Sequence, residues 1–333
     1  MTLHDPDSRE CDRQVLLLGY SRIARKRLIP ALSALGTAVH LEIASKSSAG
    51  AARAEQCLPG EIFDCYGSAL HESRADVVYI SLVNSDHAHW AEMALQSGRH
   101  VVVDKPAFLS FADATRLIAL AKDKKRLLAE ANVFPFHPQI ECVLEEFKAV
   151  KASPLKITSV FSFPGFQKED FRYKADCGGG ALNDLGPYAI SAGTVFFNEH
   201  PQKLFCQVTD RSSAGVDLSF SMAALYSGGR AMVGHFGFNT EYQNAISILG
   251  PSMCISFDRV FTIPADYKNT LRVRASDTLK EITVPQSDCF ANFFNRIFRA
   301  ADNGRFQEWY EQVLLHARSL DKLKSAAQKE DAV

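Results

Sequence analysis

The sequence predicts an α/β protein built from a doubly wound parallel sheet, followed by an α+β part with a large, mostly antiparallel, open-faced sheet. Its 333 residues exceed one typical hydrophobic core and suggest roughly two domains. The first 130 residues alternate short apolar runs with helical patterns, which is typical of a parallel sheet covered on both faces. After residue 150, strand-like segments follow one another and alternate polar with apolar residues, which favours an antiparallel sheet.

The first part is predicted to contain five strands separated by helices. Apolar runs predict strands at 14–18, 39–44, 77–82, 101–103 and 127–131. Apolar residues at helical spacing predict helices at 21–35, 49–56, 88–96 and 111–122. Gly98 follows the third helix as a C-terminal cap. We therefore expect the first domain to span residues 1–131.

The second part is predicted to be a run of strands framed by helices. The strands are expected at 156–163, 205–208, 216–225, 231–238, 245–249, 253–257, 271–274 and 281–284. A helix at 180–197 precedes most of them, and two helices at 290–301 and 306–324 end the chain. We expect residues 132–333 to form one α+β domain.

Composition and charge exclude several classes of function. Lysine and arginine number 37 against 38 aspartate and glutamate, and the net charge of −1 gives no reason to expect nucleic acid or an anionic membrane as a partner. Residues 1–14 lack the basic start and apolar stretch of a signal peptide, and no apolar run is long enough to span a bilayer. The eight cysteines form no C-x-x-C pair. We therefore expect a cytoplasmic protein with reduced thiols and no bound metal.

A glycine-containing loop directly after the first strand predicts a dinucleotide site. The run Gly19-Tyr20-Ser21-Arg22-Ile23-Ala24 has the G-x-G-x-x-G/A spacing, with serine where the second glycine usually stands. A glycine there permits the tight turn, and the following helix points unpaired N–H groups at a pyrophosphate. The small Ser21 has a hydroxyl able to donate to phosphate. We expect the cofactor to contact Gly19, Ser21, Arg22, Ile23 and Ala24; the alternative is a plain strand-to-helix turn.

The end of the second strand favours NADP over NAD. NAD-preferring sites place an acid there to bind the ribose 2′-hydroxyl, but this tip carries Ser45 and Lys46 with no carboxylate. Glu42 lies within the strand, out of register for that role. A hydroxyl and a cation suit a 2′-phosphate, so we expect Ser45 and Lys46 to bind NADP in a Rossmann domain. The alternative is that Lys46 is a solvated loop lysine.

Three spaced motifs resemble one enzyme family. Residues 84–87 read Asn-x-x-His, residues 104–106 read Asp-Lys-Pro, and residues 178–188 contain three glycines followed by Asp-x-Gly-x-Tyr. Together they are similar to the glucose–fructose oxidoreductase, inositol dehydrogenase and rhizopine-catabolism (Gfo/Idh/MocA) family across essentially the whole chain. The family's glutamate is replaced by Asp104, and Val83 stands where proline is common.

The resemblance implies the site residues and the chemistry. It implies cofactor contacts from Leu82, Asn84, His87, Asp104 and Lys105, and catalytic roles for Lys105, Tyr188 and Asp184. Asp104-Lys105-Pro106 ends a parallel strand, at the edge where α/β sheets bind ligands. Asp184 and Tyr188 are four residues apart and so share one helix face. We expect Tyr188 to exchange a proton with the substrate oxygen, Lys105 to polarise that oxygen and lower the phenol pKa, and Asp184 to hold a substrate hydroxyl.

The motif has tyrosine rather than histidine at position 188. In this respect the sequence resembles glucose–fructose oxidoreductase, dihydrodiol dehydrogenase and the sugar 3-ketoreductases. His137, Arg172 and Asp184 are the predicted substrate-binding residues; Arg172 is expected to contact an anionic group such as a sugar-nucleotide phosphate. A structural histidine and a solvated loop arginine are the alternatives for the first two.

The sequence therefore predicts an NADP-dependent oxidoreductase that transfers hydride at a carbonyl or alcohol carbon of a sugar or nucleotide-linked sugar. One alternative is the same fold acting on a trans-dihydrodiol or an imine. The other is a non-catalytic dinucleotide-binding protein. Because this family often pairs through the exposed face of the second sheet, we expect a homodimer or homotetramer.

Overall fold

The computed structural model describes residues 13–35, 39–46 and 60–330. The predicted helix at 49–56 lies outside these residues. Within them, no helix combines the length and the apolar character needed to cross a bilayer. The described chain forms two sheets with helices packed against them, so the predicted fold class is confirmed.

The first sheet has six parallel strands in the order β3-β2-β1-β4-β5-β6. Their bounds are β1 Arg13–Leu18, β2 Val39–Ala44, β3 Ile62–Phe63, β4 Val77–Ile80, β5 His100–Asp104 and β6 Leu128–Ala131. The strand β3 was not predicted from the sequence, because two residues carry no periodicity. Every residue of β4 and β6 is buried, since helices cover both faces of the sheet.

Helices connect these strands. They are α1 Ile29–Ala34, α2 Tyr66–Glu72, α3 His87–Gln96 and α4 Phe111–Lys124. The predicted first helix is regular only in its second half, because a π-helical segment, Ala24–Leu28, precedes α1. The helix α2 was not predicted. The helix α4 begins where the Ser110 hydroxyl accepts a hydrogen bond from the Asp113 N–H.

The second sheet has eight strands in the order β14-β13-β12-β11-β7-β10-β9-β8, and only the β7–β10 pair is parallel. The strands are β7 Lys156–Ser162, β8 Lys203–Arg211, β9 Asp217–Leu225, β10 Ala231–Gly237, β11 Gln243–Leu249, β12 Met253–Asp258, β13 Asn269–Ala275 and β14 Thr278–Val284. The helix α5, Pro138–Ala149, was not predicted; α6, Ala181–Phe197, was. Both pack on the same face of this sheet as its buried core, and the opposite face is open.

The last two helices, α7 Cys289–Asn303 and α8 Gln307–Glu330, return to the first sheet. Phe293, Phe294 and Ile297 of α7 share a core with β1 and β4. The helix α8 contributes Val313 to the core on the other face of the first sheet and Leu323 to the core of the second sheet. Residue 131, the predicted domain boundary, is the last residue of β6. The C-terminal helices nevertheless pack against both sheets, α7 against the first and α8 against both.

Truncation of Phe294 tests whether α7 belongs to the core of the first sheet. Phe294 is fully buried and its ring lies 5.8 Å from the Tyr79 ring, so Phe294→Ala removes a large apolar side chain and leaves a cavity. We expect a loss of about 3–5 kcal/mol in the free energy of unfolding, measured by urea denaturation. The matched control is Asn295→Ala on the exposed side of the same helix, for which we expect a change below about 0.5 kcal/mol. Equal effects of the two substitutions would contradict this packing.

Candidate active site

The loop after β1 approaches the end of β4 so closely that only glycine fits. Gly19 has φ +95°, and a Cβ atom placed on it would lie 2.2 Å from the backbone oxygen of Ser81. The helix that begins after this loop packs on the sheet through the fully buried Ala24. Arg22 and Ile23 are exposed at the start of that helix. The loop therefore leaves backbone N–H groups and two exposed side chains at the carboxyl edge of the sheet.

Ser21 links this loop to the Asp-Lys-Pro motif. Its hydroxyl accepts a hydrogen bond from the Ala24 N–H at 3.1 Å and pairs with the Ser81 hydroxyl at 2.7 Å. Ser81 in turn donates to the Asp104 carboxylate, which also accepts from the Tyr79 hydroxyl. Because Ser81 has one proton, Ser21 must donate its own to Ser81. In this arrangement the Ser21 hydroxyl links β1, β4 and β5; its hydrogen bond to a phosphate stays a prediction.

The tip of β2 carries a cation held by aromatic rings. The Lys46 ammonium lies 5.1 Å from the centre of the Tyr66 ring and 6.0 Å from that of Trp90, and Ser45 beside it is buried. Glu42 faces away from the tip and accepts a hydrogen bond from the Ser73 hydroxyl. In the described part of this tip, Ser45 and Lys46 follow the strand where NAD-preferring sites place an acid; their contacts with NADP stay a prediction.

Lys105 is the centre of a buried charge network. Its ammonium donates to the backbone oxygen of Asp184 at 2.6 Å and to the Asp184 carboxylate at 2.7 Å. The other carboxylate oxygen accepts from Arg172 at 2.9 Å, and Arg172 also pairs with Asp170 at 3.1 Å. The same ammonium lies 4.8 Å from the centre of the Tyr188 ring. The structure thus brings the two predicted catalytic side chains, far apart in the sequence, into contact.

The charges in this network set the direction of the pKa shifts. Burial raises the pKa of Asp184, but Arg172 and Lys105 outweigh it and hold that pKa well below its usual range. Burial lowers the pKa of Lys105, and here the Asp184 carboxylate outweighs it, so this pKa is raised. Both groups are therefore ionised at neutral pH, each because of the other.

The pKa of Tyr188 moves in the direction opposite to that predicted. Burial raises it, and the opposing influence of Lys105 does not overcome this. The ring is enclosed by Phe134, Phe161 and Phe261 at centroid distances of 6.2, 5.3 and 5.3 Å. The sequence could not reveal this enclosure, because the three phenylalanines come from separate segments. Within the described residues the Tyr188 hydroxyl makes no hydrogen bond, and the protonated phenol is free to donate.

The predicted residues of the β4–α3 connection hold the cleft together through their side chains. The Asn84 amide donates to the backbone oxygen of Gly178 at 2.8 Å and so joins the first sheet to the loop before α6. His87 is fully buried, with its ring nitrogens 2.9 Å from the Pro106 oxygen and 3.2 Å from the Leu82 oxygen. The His87 contact fixes Pro106, the residue after Lys105; a direct contact of His87 with the cofactor stays a prediction.

His137 and Arg172 occupy different environments. His137 is buried and its Nδ1 accepts from the Gln139 N–H at the start of α5, while burial lowers its pKa to about 4. Its Nε2 has no partner among the described residues. Arg172 forms ion pairs with Asp184 and Asp170, so it supports Asp184 in this structure. Contacts of both residues with substrate stay predictions.

A buried Glu130–His316 pair behind Lys105 was not identified as functional from the sequence. Glu130 accepts hydrogen bonds from His316 and, at 2.9 Å, from the N–H of Ala107. His316 lies on α8, so this pair ties the C-terminal helix to the loop that carries Lys105. No local signal in the sequence connects positions 186 residues apart.

Comparisons with known proteins agree with this geometry. Residues 13–132 match the oxidoreductase family with an NAD-binding Rossmann fold known as Gfo/Idh/MocA, and residues 153–255 match the C-terminal domain of that family. A dTDP-3,4-didehydro-2,6-dideoxy-α-D-glucose 3-reductase from Actinomadura kijaniata is 30% identical over 94% of this chain and 95% of its own. The chain therefore belongs to the Gfo/Idh/MocA oxidoreductase family, and the resemblance identified from the sequence is confirmed.

Two further proteins show the range of the relatives. A D-xylose 1-dehydrogenase (NADP⁺) from Haloferax volcanii is 30% identical over 95% of this chain and 98% of its own. A crystal structure of a 3-ketoreductase from Actinomadura kijaniata, in complex with NADP and TDP-benzene, is 29% identical. It has a TM-score of 0.89 and covers 95% of this chain and 98% of its own.

Removal of the Asp184 charge tests the network around Lys105. Asp184→Asn leaves Lys105 and Arg172 buried without their shared anion, so we expect a loss of about 3–5 kcal/mol in the free energy of unfolding at pH 7. Because the folded-state pKa of Asp184 is depressed, its contribution is present above an unfolded-state pKa of about 3.9 and is lost as pH falls below it. The difference between wild type and variant should therefore shrink between pH 5 and 3.

Denaturation curves over about pH 3–7 measure this difference directly. The matched control is Asp302→Asn, which removes one partner of an exposed ion pair with Arg13; we expect a change of at most about 1 kcal/mol. A difference that stays constant with pH would contradict the assignment of this charge.

Proposed function

We propose that this protein is an NADP-dependent reductase of a sugar carbonyl group, acting on a nucleotide-linked sugar. The observation that carries the proposal is the contact between Lys105 and Tyr188 beside the glycine loop. The ammonium lies 4.8 Å from the ring centre, and the phenol hydroxyl has no hydrogen bond within residues 13–35, 39–46 and 60–330. A phenol that is protonated and unengaged suits a general acid.

The residues at the carboxyl edge of the first sheet fit NADP. The Gly19 turn leaves no room for a side chain, which brings backbone N–H groups to the position of a pyrophosphate. Lys46 supplies a cation where a 2′-phosphate would lie, and Tyr66 and Trp90 hold it there. The related 3-ketoreductase crystallised with NADP supports the same choice. We assign the remaining cofactor contacts to Arg22, Ile23, Ser45 and the segment from Leu82 to His87.

Each side chain around Lys105 has a separate role in the reduction. NADPH, when bound, supplies the hydride. Tyr188 donates its phenolic proton to the substrate oxygen as the carbonyl carbon accepts the hydride, so the ketone becomes an alcohol and the phenol becomes a phenolate. Lys105 stabilises the charge on both oxygens. Asp184 positions Lys105 through one carboxylate oxygen, and Arg172 binds the other; the hydrogen bond from a substrate hydroxyl to Asp184 stays a prediction.

Replacement of the phenol tests the proposed acid. Tyr188→Phe removes one hydroxyl that makes no hydrogen bond in the described structure, so the fold should be unaffected. We expect kcat to fall at least about tenfold, because general acid catalysis is worth about 10²–10⁴ in rate. NADP affinity, measured by calorimetry, should be unchanged. Wild-type turnover in this variant would contradict the assignment.

The substrate class is tested by steady-state oxidation of NADPH with a panel of ketones. A preference for nucleotide-linked keto sugars supports the proposal. Faster turnover of free aldoses with NADP⁺ would favour a function like that of the xylose dehydrogenase relative. Turnover of dihydrodiols or imines alone would contradict a sugar substrate and favour one of these two classes instead.

We also propose that the chain forms a homodimer or homotetramer through the open face of the second sheet. On this face Phe205, Ala223 and Val233 lie side by side across β8, β9 and β10. Phe205 is 51% exposed and Val233 48%, and a contiguous exposed apolar patch of this kind is typical of an interface.

A charge placed in this patch tests the assembly. Phe205→Asp combined with Val233→Lys should leave the fold intact, because both side chains are half exposed, and should yield a monomer in analytical ultracentrifugation. The matched control is Met93→Lys, an exposed apolar residue on α3, which should keep the wild-type mass. A wild-type monomer, or an unchanged mass in the double variant, would contradict this interface.

A further inference from the structure

The structure assigns the diphosphate of a nucleotide-linked substrate to Arg259, in a cluster with Tyr242 and Tyr267 where β11 begins and β12 ends in the second sheet. This inference rests on the proposed function, since it specifies the substrate of the same site. It replaces Arg172, the cation that the sequence suggests for this role.

Arg259 has unused hydrogen-bond donors and is not paired with a carboxylate among the described residues. Its guanidinium donates one hydrogen bond, to the Tyr242 hydroxyl at 2.9 Å, and lies 4.7 Å from the Tyr242 ring centre and 5.9 Å from that of Tyr267. Within the described residues no carboxylate lies within 4.0 Å of it. A guanidinium has five N–H donors, so four remain for an anion. Arg172, in contrast, is bound by two carboxylates.

The backbone at Arg259 is held in a conformation that side chains rarely adopt. Its φ is +56°, which costs a non-glycine residue on the order of 1 kcal/mol or more. Such a conformation persists only where the surroundings fix it. Strained residues of this kind cluster at ligand sites. The direction of the Arg259 side chain depends on this backbone conformation.

Three buried amide side chains fix the segment around Arg259. Gln139 donates to the backbone oxygens of Arg259 and Val260, at 3.4 and 3.0 Å. Asn269 donates to the Asp258 oxygen at 2.7 Å and to the Gln139 amide oxygen at 2.8 Å. Asn244 accepts from the Phe261 N–H at 3.0 Å and donates to the Tyr242 hydroxyl at 3.2 Å. The Arg259–Tyr242 pair is thus built on a rigid support.

The segment that these amides fix also includes Phe261, which lines the catalytic pocket. Phe261, two residues from Arg259, packs its ring 5.3 Å from the Tyr188 ring. In a nucleotide-linked sugar the diphosphate is bonded to the anomeric carbon, so it lies beside the ring that is reduced and not at the reacting carbon. The segment after β12 carries Arg259 and reaches the Tyr188 ring through Phe261, so a diphosphate at Arg259 and a sugar beside Tyr188 would lie along the same segment. The exposed face of Tyr267 is available for stacking of the nucleobase.

The experiment is calorimetric titration of TDP, and separately UDP, into the NADP-loaded protein. We expect Arg259→Gln to weaken nucleoside diphosphate binding at least about tenfold, because charge-assisted hydrogen bonds to phosphate are lost. Arg259→Lys should bind with intermediate affinity, because it keeps the charge but not the bidentate geometry. NADP affinity and the thermal midpoint should not change. The matched control is Arg299→Gln, an exposed arginine on α7, which should bind within twofold of wild type.

Equal TDP affinity in wild type and Arg259→Gln would overturn the assignment, as would a loss seen only in Arg172→Gln. Failure of the wild type to bind either nucleotide would overturn it as well. If NADPH-dependent reduction of a free sugar still depended on Tyr188 in that case, the proposed hydride transfer would stand without this subsite.

Discussion

The Asp184 carboxylate is the interaction on which the rest of the site depends. It lies on α6 of the second part, yet it binds Lys105, which follows the last residue of β5 in the first part. Arg172 engages the other carboxylate oxygen. Buried charges are costly unless they are paired, so the position of each of these side chains is constrained by the other two. The same contact that neutralises Lys105 therefore also joins the two sheets at the cleft.

Two further hydrogen-bond networks extend this constraint, and each is centred on a carboxylate, Asp104 or Glu130. On one side, Ser21, Ser81 and Asp104 connect the glycine loop to the strand that carries Lys105. On the other, Glu130 joins the loop after Pro106 to α8. Displacement of the glycine loop or of the C-terminal helix would therefore disturb Lys105. A site that depends on its position relative to a cofactor needs such connections, because small errors in placement are costly in rate.

Much of the fold followed from local patterns. Mainly apolar runs located β1, β2, β4, β5 and β6, because both faces of a parallel sheet are buried. The two-residue β3 and the helices α2 and α5 were missed, since short elements and mixed composition give no clear period. Spacing placed Lys105 at a strand end and Asp184 beside Tyr188 on one helix face. It did not reveal that phenylalanines from three segments would bury Tyr188 and so raise its pKa. Nor did it reveal the hydrogen bond between the hydroxyls of Ser21 and Ser81.

By itself, the sequence determined the class of fold, the glycine loop, the absence of an acid at the tip of β2, and the residue types of the catalytic set. These depend on neighbours within a few positions of one another. The tertiary structure alone decided which cations were already neutralised. Arg172 and Arg259 are alike as residues, but two carboxylates surround the first, and two aromatic rings surround the second. The availability of a charge is a property of its surroundings, and those surroundings come from distant parts of the chain.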